Sequence, residues 1–184
     1  LINSVAYAVN TDPAVKGRLA ACFLPNYSVS LAQQIIPACD LSEQISTAGM
    51  EASGTGNMKF ALNGALTIGT FDGANIEILE EVGVENFFLF GLRVEEVEAR
   101  RKCGYDPRGV YQSNPELKRA VDMIANGHFS PEDPGLFTPI VRGLLDGGDF
   151  FMVLADYADY VQTQHEAARI YANPHTWARR SIMN

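Results

Sequence analysis

Glu51-Ala52-Ser53-Gly54-Thr55-Gly56-Asn57-Met58-Lys59 is a run of small residues and glycines that ends on a lysine entering an apolar segment. Gly54 and Gly56 can take backbone angles closed to other residues, and they carry no side chain to keep a ligand away from the main-chain N–H groups. A helix starting near Asn57 adds the unpaired N–H groups of its first turn and the positive end of its dipole. The stretch therefore reads as a phosphate cradle with a primary amine beside it. It is not a Walker loop, which needs Lys directly after its second Gly and then Ser or Thr, whereas Lys59 follows Gly56 by three and precedes Phe60. Nor is it a full dinucleotide fingerprint, because Lys59 stands where the third Gly would allow close helix–strand packing. On spacing alone, a plain turn before a helix is the commoner reading of such a loop.

Outward from the loop, the first hundred residues alternate strand-like and helical segments in the manner of an α/β domain. The pattern predicts helix over residues 2–9, a buried strand over 19–24, helix over 29–36 stopped by Pro37, and a short strand over 43–46 that leads into the loop. Beyond it, helix is expected over 57–62, strand over 66–70, helix over 75–82 and strand over 87–90. The loop thus lies between a strand and a helix, where ligands bind in open parallel sheets. From Val94 on, the pattern turns helical, with helices over 94–102, 115–126, 135–145 and 157–171, and turns at Tyr105-Asp106-Pro107 and at residues 130–134. Two regions follow: a partial α/β cofactor-binding region over 1–103, and a mainly helical extension over 104–184 packed on the same lobe.

Composition narrows the partners. The 184 residues are 47% hydrophobic, enough for one compact domain or a domain with an appendage. With 14 Lys and Arg against 22 Asp and Glu, the net charge of −8 argues against a nucleic-acid or anionic-membrane surface, so a phosphate must be held by local geometry. Cys22, Cys39 and Cys103 are few, widely spaced and odd in number; they suggest neither a disulfide framework nor a zinc site, and are expected to be reduced, buried thiols of a cytoplasmic protein. His128, His165 and His175 have no ligand spacing, and no metal is expected. Nor is a membrane span, since no apolar run approaches the length of one. Asp72 and Asn75 in Asp-Gly-Ala-Asn read as turn and capping residues.

The loop and the residues after it, Phe60-Ala61-Leu62-Asn63-Gly64-Ala65-Leu66, are similar to the pyridoxal-phosphate signature of the α-glucan phosphorylases. The similarity runs upstream through Asp40-Leu41-Ser42-Glu43-Gln44-Ile45-Ser46-Thr47-Ala48-Gly49 and Asn26-Tyr27. Downstream it runs through Gly69-Thr70-Phe71-Asp72-Gly73-Ala74-Asn75 and Glu85-Asn86-Phe87-Phe88-Leu89-Phe90-Gly91, and continues more weakly from Ala155-Asp156-Tyr157 to Trp177. The resemblance implies an α/β fold, part of the Rossmann-like C-terminal lobe of a GT-B glycosyltransferase, followed by a helical segment. It also implies a piece of a longer chain, with an N-terminal lobe and most of the phosphate-holding basic residues upstream of Leu1.

Under that resemblance Lys59 would form a Schiff base with pyridoxal 5′-phosphate, an assignment in keeping with the need for a positioned primary amine. The backbone N–H groups of Thr55 and Gly56 would grip the 5′-phosphate, and Tyr27 would line the ring pocket, with Ser28 departing from the Arg a well-known member carries beside that tyrosine. Glu51, Ser53 and Gly54 would bind hydroxyls of the terminal glucose. The reaction implied is release of glucose 1-phosphate from the non-reducing end of an α-1,4-glucan by inorganic phosphate. In it the cofactor's own phosphate, with a second pKa of about 6, gives and takes a proton. The family homodimer is not expected from these residues alone. A non-catalytic module that binds phosphate or pyridoxal phosphate at most is the second reading. A nucleotide-sugar transferase on the same fold is the third, and such enzymes have no use for a Schiff-base lysine. Each residue also has a plainer role: Lys59 as a solvated charge, Glu51 as a helix-entry carboxylate, Ser53 and Thr55 as loop hydroxyls.

Overall fold

The computed structural model describes residues 1–184. In chain order its elements are α1 (Ile2–Thr11), α2 (Val29–Ile35), β1 (Leu41–Gln44), α3 (Gly56–Leu62), β2 (Leu66–Gly69), α4 (Asn75–Val82) and β3 (Phe87–Leu89). Then come α5 (Val94–Cys103), α6 (Pro107–Ser113), α7 (Pro115–Ala125), α8 (Thr138–Leu145), α9 (Val153–Tyr171) and α10 (Pro174–Met183). No helix is long and apolar enough to cross a membrane. The chain divides into two compact units, Leu1–Ser28 with Asp106–Phe150, and Val29–Tyr105 with Phe151–Asn184.

The second unit is α/β. Its three strands are parallel in the order β1-β2-β3, with Leu41 opposite Leu66 and Thr67 opposite Phe87. Parallel neighbours need a crossover between them, and α3 and α4 supply the two. All four residues of β2 are buried, as expected of a central strand covered on both faces. On one face Leu66, Ile68, Phe88 and Phe90 pack against Ala167 and Ile170 of α9 and Trp177 of α10. The Trp177 ring stacks on Phe88 with centroids 6.1 Å apart and meets Tyr171 edge-on at 4.8 Å. Polar contacts fasten the same helices: Ser181 Oγ donates to the Gly64 carbonyl at 2.6 Å, and the Tyr160 hydroxyl and Gln164 amide both donate to the Glu43 carboxylate. Burial beside that carboxylate pushes the Tyr160 hydroxyl above its ordinary pKa.

The first unit is helical. Asn114 caps α7 by accepting from the backbone N–H groups of Glu116 and Leu117, with Pro115 at the first helical position. Lys118 and Tyr111 both donate to Asp122, which holds its carboxyl below the usual range and the Lys118 amine above its own.

Three expectations need correction. Residues 19–24 form no strand: Leu19, Phe23 and Leu24 are 56%, 57% and 45% exposed, in a loop that runs on to the start of α2. An apolar run becomes a strand only with a partner to hydrogen-bond, and all three strands of the sheet lie elsewhere. The thiols are not buried either. Cys22 lies in that same loop and Cys103 at the end of the charged helix α5, both exposed, while Cys39 is half-buried. Third, α6 and α10 add to the helices that periodicity predicts; both begin with Pro after Asp106 or Asn173, a start signal present in the sequence. The last strand ends at Leu89, and α9 and α10 pack back on the sheet within the second unit.

Candidate functional site

The strands end at Gln44, Gly69 and Leu89. The glycine loop leaves the sheet after β1 and the segment 70–74 leaves after β2, so the two lie side by side beyond the carboxyl ends. Thr70 joins them at the root: its N–H donates to the Gln44 carbonyl at 3.1 Å and its Oγ1 to the Ser46 carbonyl at 2.6 Å.

Residues 51–56 are all exposed. Gly54 has φ +84°, which a side chain would resist. The Glu51 side chain folds over the loop: a Cβ placed on Gly54 would lie 3.9 Å from Glu51 Cδ, and one placed on Gly73 only 2.8 Å from Glu51 Cγ and 2.5 Å from the Ser53 carbonyl oxygen. Glu51, Ser53 and Gly54, the three residues expected to meet sugar, therefore form one patch. Thr55 precedes α3 and Gly56 opens it, and the first hydrogen bond along the helix runs from Lys59 N–H to the Thr55 carbonyl at 3.2 Å. A Cβ built on Gly56 would meet nothing within 4 Å. Space is thus open around the Gly56 Cα at the start of α3, and Lys59, exposed one turn further on, offers an amine. These residues fit a phosphorylated aldehyde such as pyridoxal phosphate. Tyr27 belongs to the first unit, 72% exposed, after Asn26 at φ 55°.

Beneath the exposed loop lies a buried polar brace built from the expected turn and capping residues Asp72 and Asn75. α4 has no side-chain cap. Instead, Asn75 accepts from the Asn57 amide at 2.8 Å and donates to the Thr70 carbonyl at 3.0 Å, both asparagines being buried. The Asp72 carboxylate, 6% exposed, accepts from the backbone N–H groups of Gly49 (2.9 Å), Met50 (3.2 Å) and Glu51 (2.8 Å). Ala74 N–H donates to the Ser53 carbonyl at 2.7 Å. Asp-Gly in the sequence signals a turn; that its carboxylate bonds amides more than twenty residues upstream becomes visible only in the fold. A separate apolar cavity of about 420 Å³, lined by Ile45, Met50, Phe90, Phe151, Tyr157 and Tyr160 among others, contains none of the expected site residues.

The whole chain, residues 1–184, matches the family model for carbohydrate phosphorylases. Among its curated relatives are the glycogen phosphorylase of Chlamydia trachomatis serovar D, 58% identical, and the human brain and muscle forms of glycogen phosphorylase, 56% and 54% identical, each over all 184 residues. The chain spans 22% of the length of each of these relatives. Matched over its entire length, with its glycine loop at the carboxyl ends of a parallel sheet, the chain belongs to the carbohydrate phosphorylase family.

Proposed function

We propose that these residues are the cofactor-bearing part of an α-1,4-glucan phosphorylase, within the Rossmann-like C-terminal lobe of a GT-B fold. The complete enzyme releases glucose 1-phosphate from the non-reducing end of glycogen or maltodextrin in the cytoplasm, with inorganic phosphate as the other substrate. The observation that carries this reading is the single exposed patch of Glu51, Ser53 and Gly54, set directly before an open glycine turn and one helical turn from Lys59.

Each group has a part that follows from its chemistry. The Lys59 amine is the group that would hold pyridoxal 5′-phosphate through its aldehyde. The amides of Thr55 and Gly56 would hold its phosphate, with open space around the Gly56 Cα. When bound, the cofactor supplies a phosphate group with a second pKa of about 6, able to donate and accept a proton near neutral pH. The Glu51 carboxylate accepts hydrogen bonds from hydroxyls of the terminal glucose, and Ser53 and Gly54 complete that clamp. Glu51 is therefore a binding group and not one of a hydrolytic carboxylate pair.

Exposure of the whole loop and of Lys59 favours a corollary: walls and cationic groups outside these residues complete the site, and the 184-residue chain alone turns nothing over. Incubation of the chain with pyridoxal phosphate, borohydride reduction and peptide mapping test the assignment. Label is expected on Lys59; label confined to Lys16, Lys102 or Lys118, or none at all, would overturn it. Phosphorolysis of maltodextrin by the isolated chain would overturn the corollary.

A further inference from the structure

The loop that carries Glu51 and Ser53 has little internal bonding. Its residues 51–56 are exposed, and the one side-chain bond within it, Ser53 Oγ to the Gly54 carbonyl, is 3.5 Å long, the outer limit of a hydrogen bond. Two grips from the segment after β2 hold it instead. At its entry the Asp72 carboxylate gathers three successive N–H groups, those of residues 49, 50 and 51. At its middle Ala74 N–H takes the Ser53 carbonyl. Gly73, at φ +51°, lets one short turn supply both grips, and its missing side chain leaves the space filled by Glu51 Cγ and the Ser53 carbonyl.

An ionised carboxylate is the side chain suited to the entry grip, because both oxygens only accept. One oxygen takes Gly49 N–H and the other takes both Met50 and Glu51 N–H. Bonds of this kind, with an ionised acceptor, are about twice as strong as neutral ones. Residue 51 is therefore fixed at its backbone nitrogen, one Cα away from the side chain that meets sugar.

We infer that Asp72 is a positioning residue for the sugar clamp, fixing the backbone of residues 49–51 so that the Glu51 carboxylate faces the terminal glucose. The inference rests on the phosphorylase reading above, since it assigns Asp72 a role in that reaction. Asp72 does not touch substrate in this scheme; it acts through residue 51. Asp72→Asn keeps the shape but places an NH₂ donor against N–H groups, so one or two of the three bonds are lost. Asp72→Glu lengthens a buried side chain beside the packed Gly73 turn and is not expected to restore them.

The test is a double-mutant cycle in the full-length phosphorylase containing these residues, reading kcat/KM for glucan synthesis from glucose 1-phosphate and, separately, pyridoxal phosphate incorporated at Lys59. Asp72→Asn is expected to lower kcat/KM about 10- to 100-fold with incorporation at Lys59 within twofold of the parent. In a Glu51→Gln background the same change is expected to cost threefold or less, because the group it positions has already been removed. Equal losses in the two backgrounds would assign Asp72 a general structural role and overturn the inference, as would an unchanged kcat/KM for Asp72→Asn. Should Asp72→Asn fail to fold, amide exchange in the parent decides. Slow exchange at Gly49, Met50 and Glu51 beside fast exchange at Gly54 supports the grip, and equally fast exchange at all four overturns it. Absence of label at Lys59 in the parent enzyme would instead remove the phosphorylase reading itself, a result distinct from all of these.

Discussion

The glycine loop over 51–56 and the segment 70–75 beneath it are neighbours of similar length with opposite physics. The loop carries the residues expected to meet cofactor and sugar, and all six are exposed. In the segment below, Thr70, Asp72, Ala74 and Asn75 are buried, and the three polar side chains among them are all hydrogen-bonded. Reactive groups need access, and access removes the packing that would hold them still. Placement is therefore delegated to a second strand end whose polar groups are too deeply buried to do anything but hold. Buried and satisfied polar groups fix geometry because leaving any one of them unpaired costs about 1–3 kcal/mol.

On that division, substitutions below the loop cost stability, and substitutions of the exposed groups above it cost function alone. The largest effect lies furthest under the site. Trp177→Ala removes the ring packed between Phe88 and Tyr171 and is expected to lower unfolding free energy by about 3–5 kcal/mol in urea titrations. Gly73→Ala comes next, at about 2–3 kcal/mol, from a positive φ combined with a Cβ driven against the Ser53 carbonyl; the same titration reads it. Asn75→Ala strands the Asn57 amide and the Thr70 carbonyl and should cost about 1–3 kcal/mol, with a smaller increment once Asn57 is already Ala. Smallest in stability are Lys59→Ala and Glu51→Gln, both within about 0.5 kcal/mol of the parent. Yet Lys59→Ala should abolish borohydride-fixed pyridoxal phosphate label. A loss above 2 kcal/mol for either of these exposed-residue variants would erase the contrast.

Much of this was legible in the chain itself. The α/β alternation from residue 29 to residue 90 shows in the sequence because each element carries its own period, and the strand–loop–helix placement of the glycines follows from it. Lys59 and its neighbours stood out because a run of small and turn-forming residues, Ala52 to Asn57, precedes a lysine that suits neither common phosphate motif. The brace could not be read the same way. Asp72 and Asn75 carry ordinary local signals, Asp-Gly and a helix start, and their partners at residues 49–51 and 57 come near only once β1 and β2 pair in parallel. Residues 19–24 failed for the converse reason: a locally convincing apolar run has no strand beside it. Local chemistry is written in sequence order, and long-range hydrogen bonding is not.

The return of α9 and α10 to the sheet also sets a timetable for synthesis. Ser181 and the Gly64 carbonyl it binds are separated by 117 residues; at a ribosome adding about 5–20 residues per second, that interval is roughly 6–23 s. Between the synthesis of Phe90 and that of Ala167, 77 residues and roughly 4–15 s later, the face formed by Leu66, Ile68, Phe88 and Phe90 has no roof. The nascent chain thus spends seconds with an adhesive ledge on display, time enough for a chaperone to bind it or for two neighbouring chains on one message to stick together.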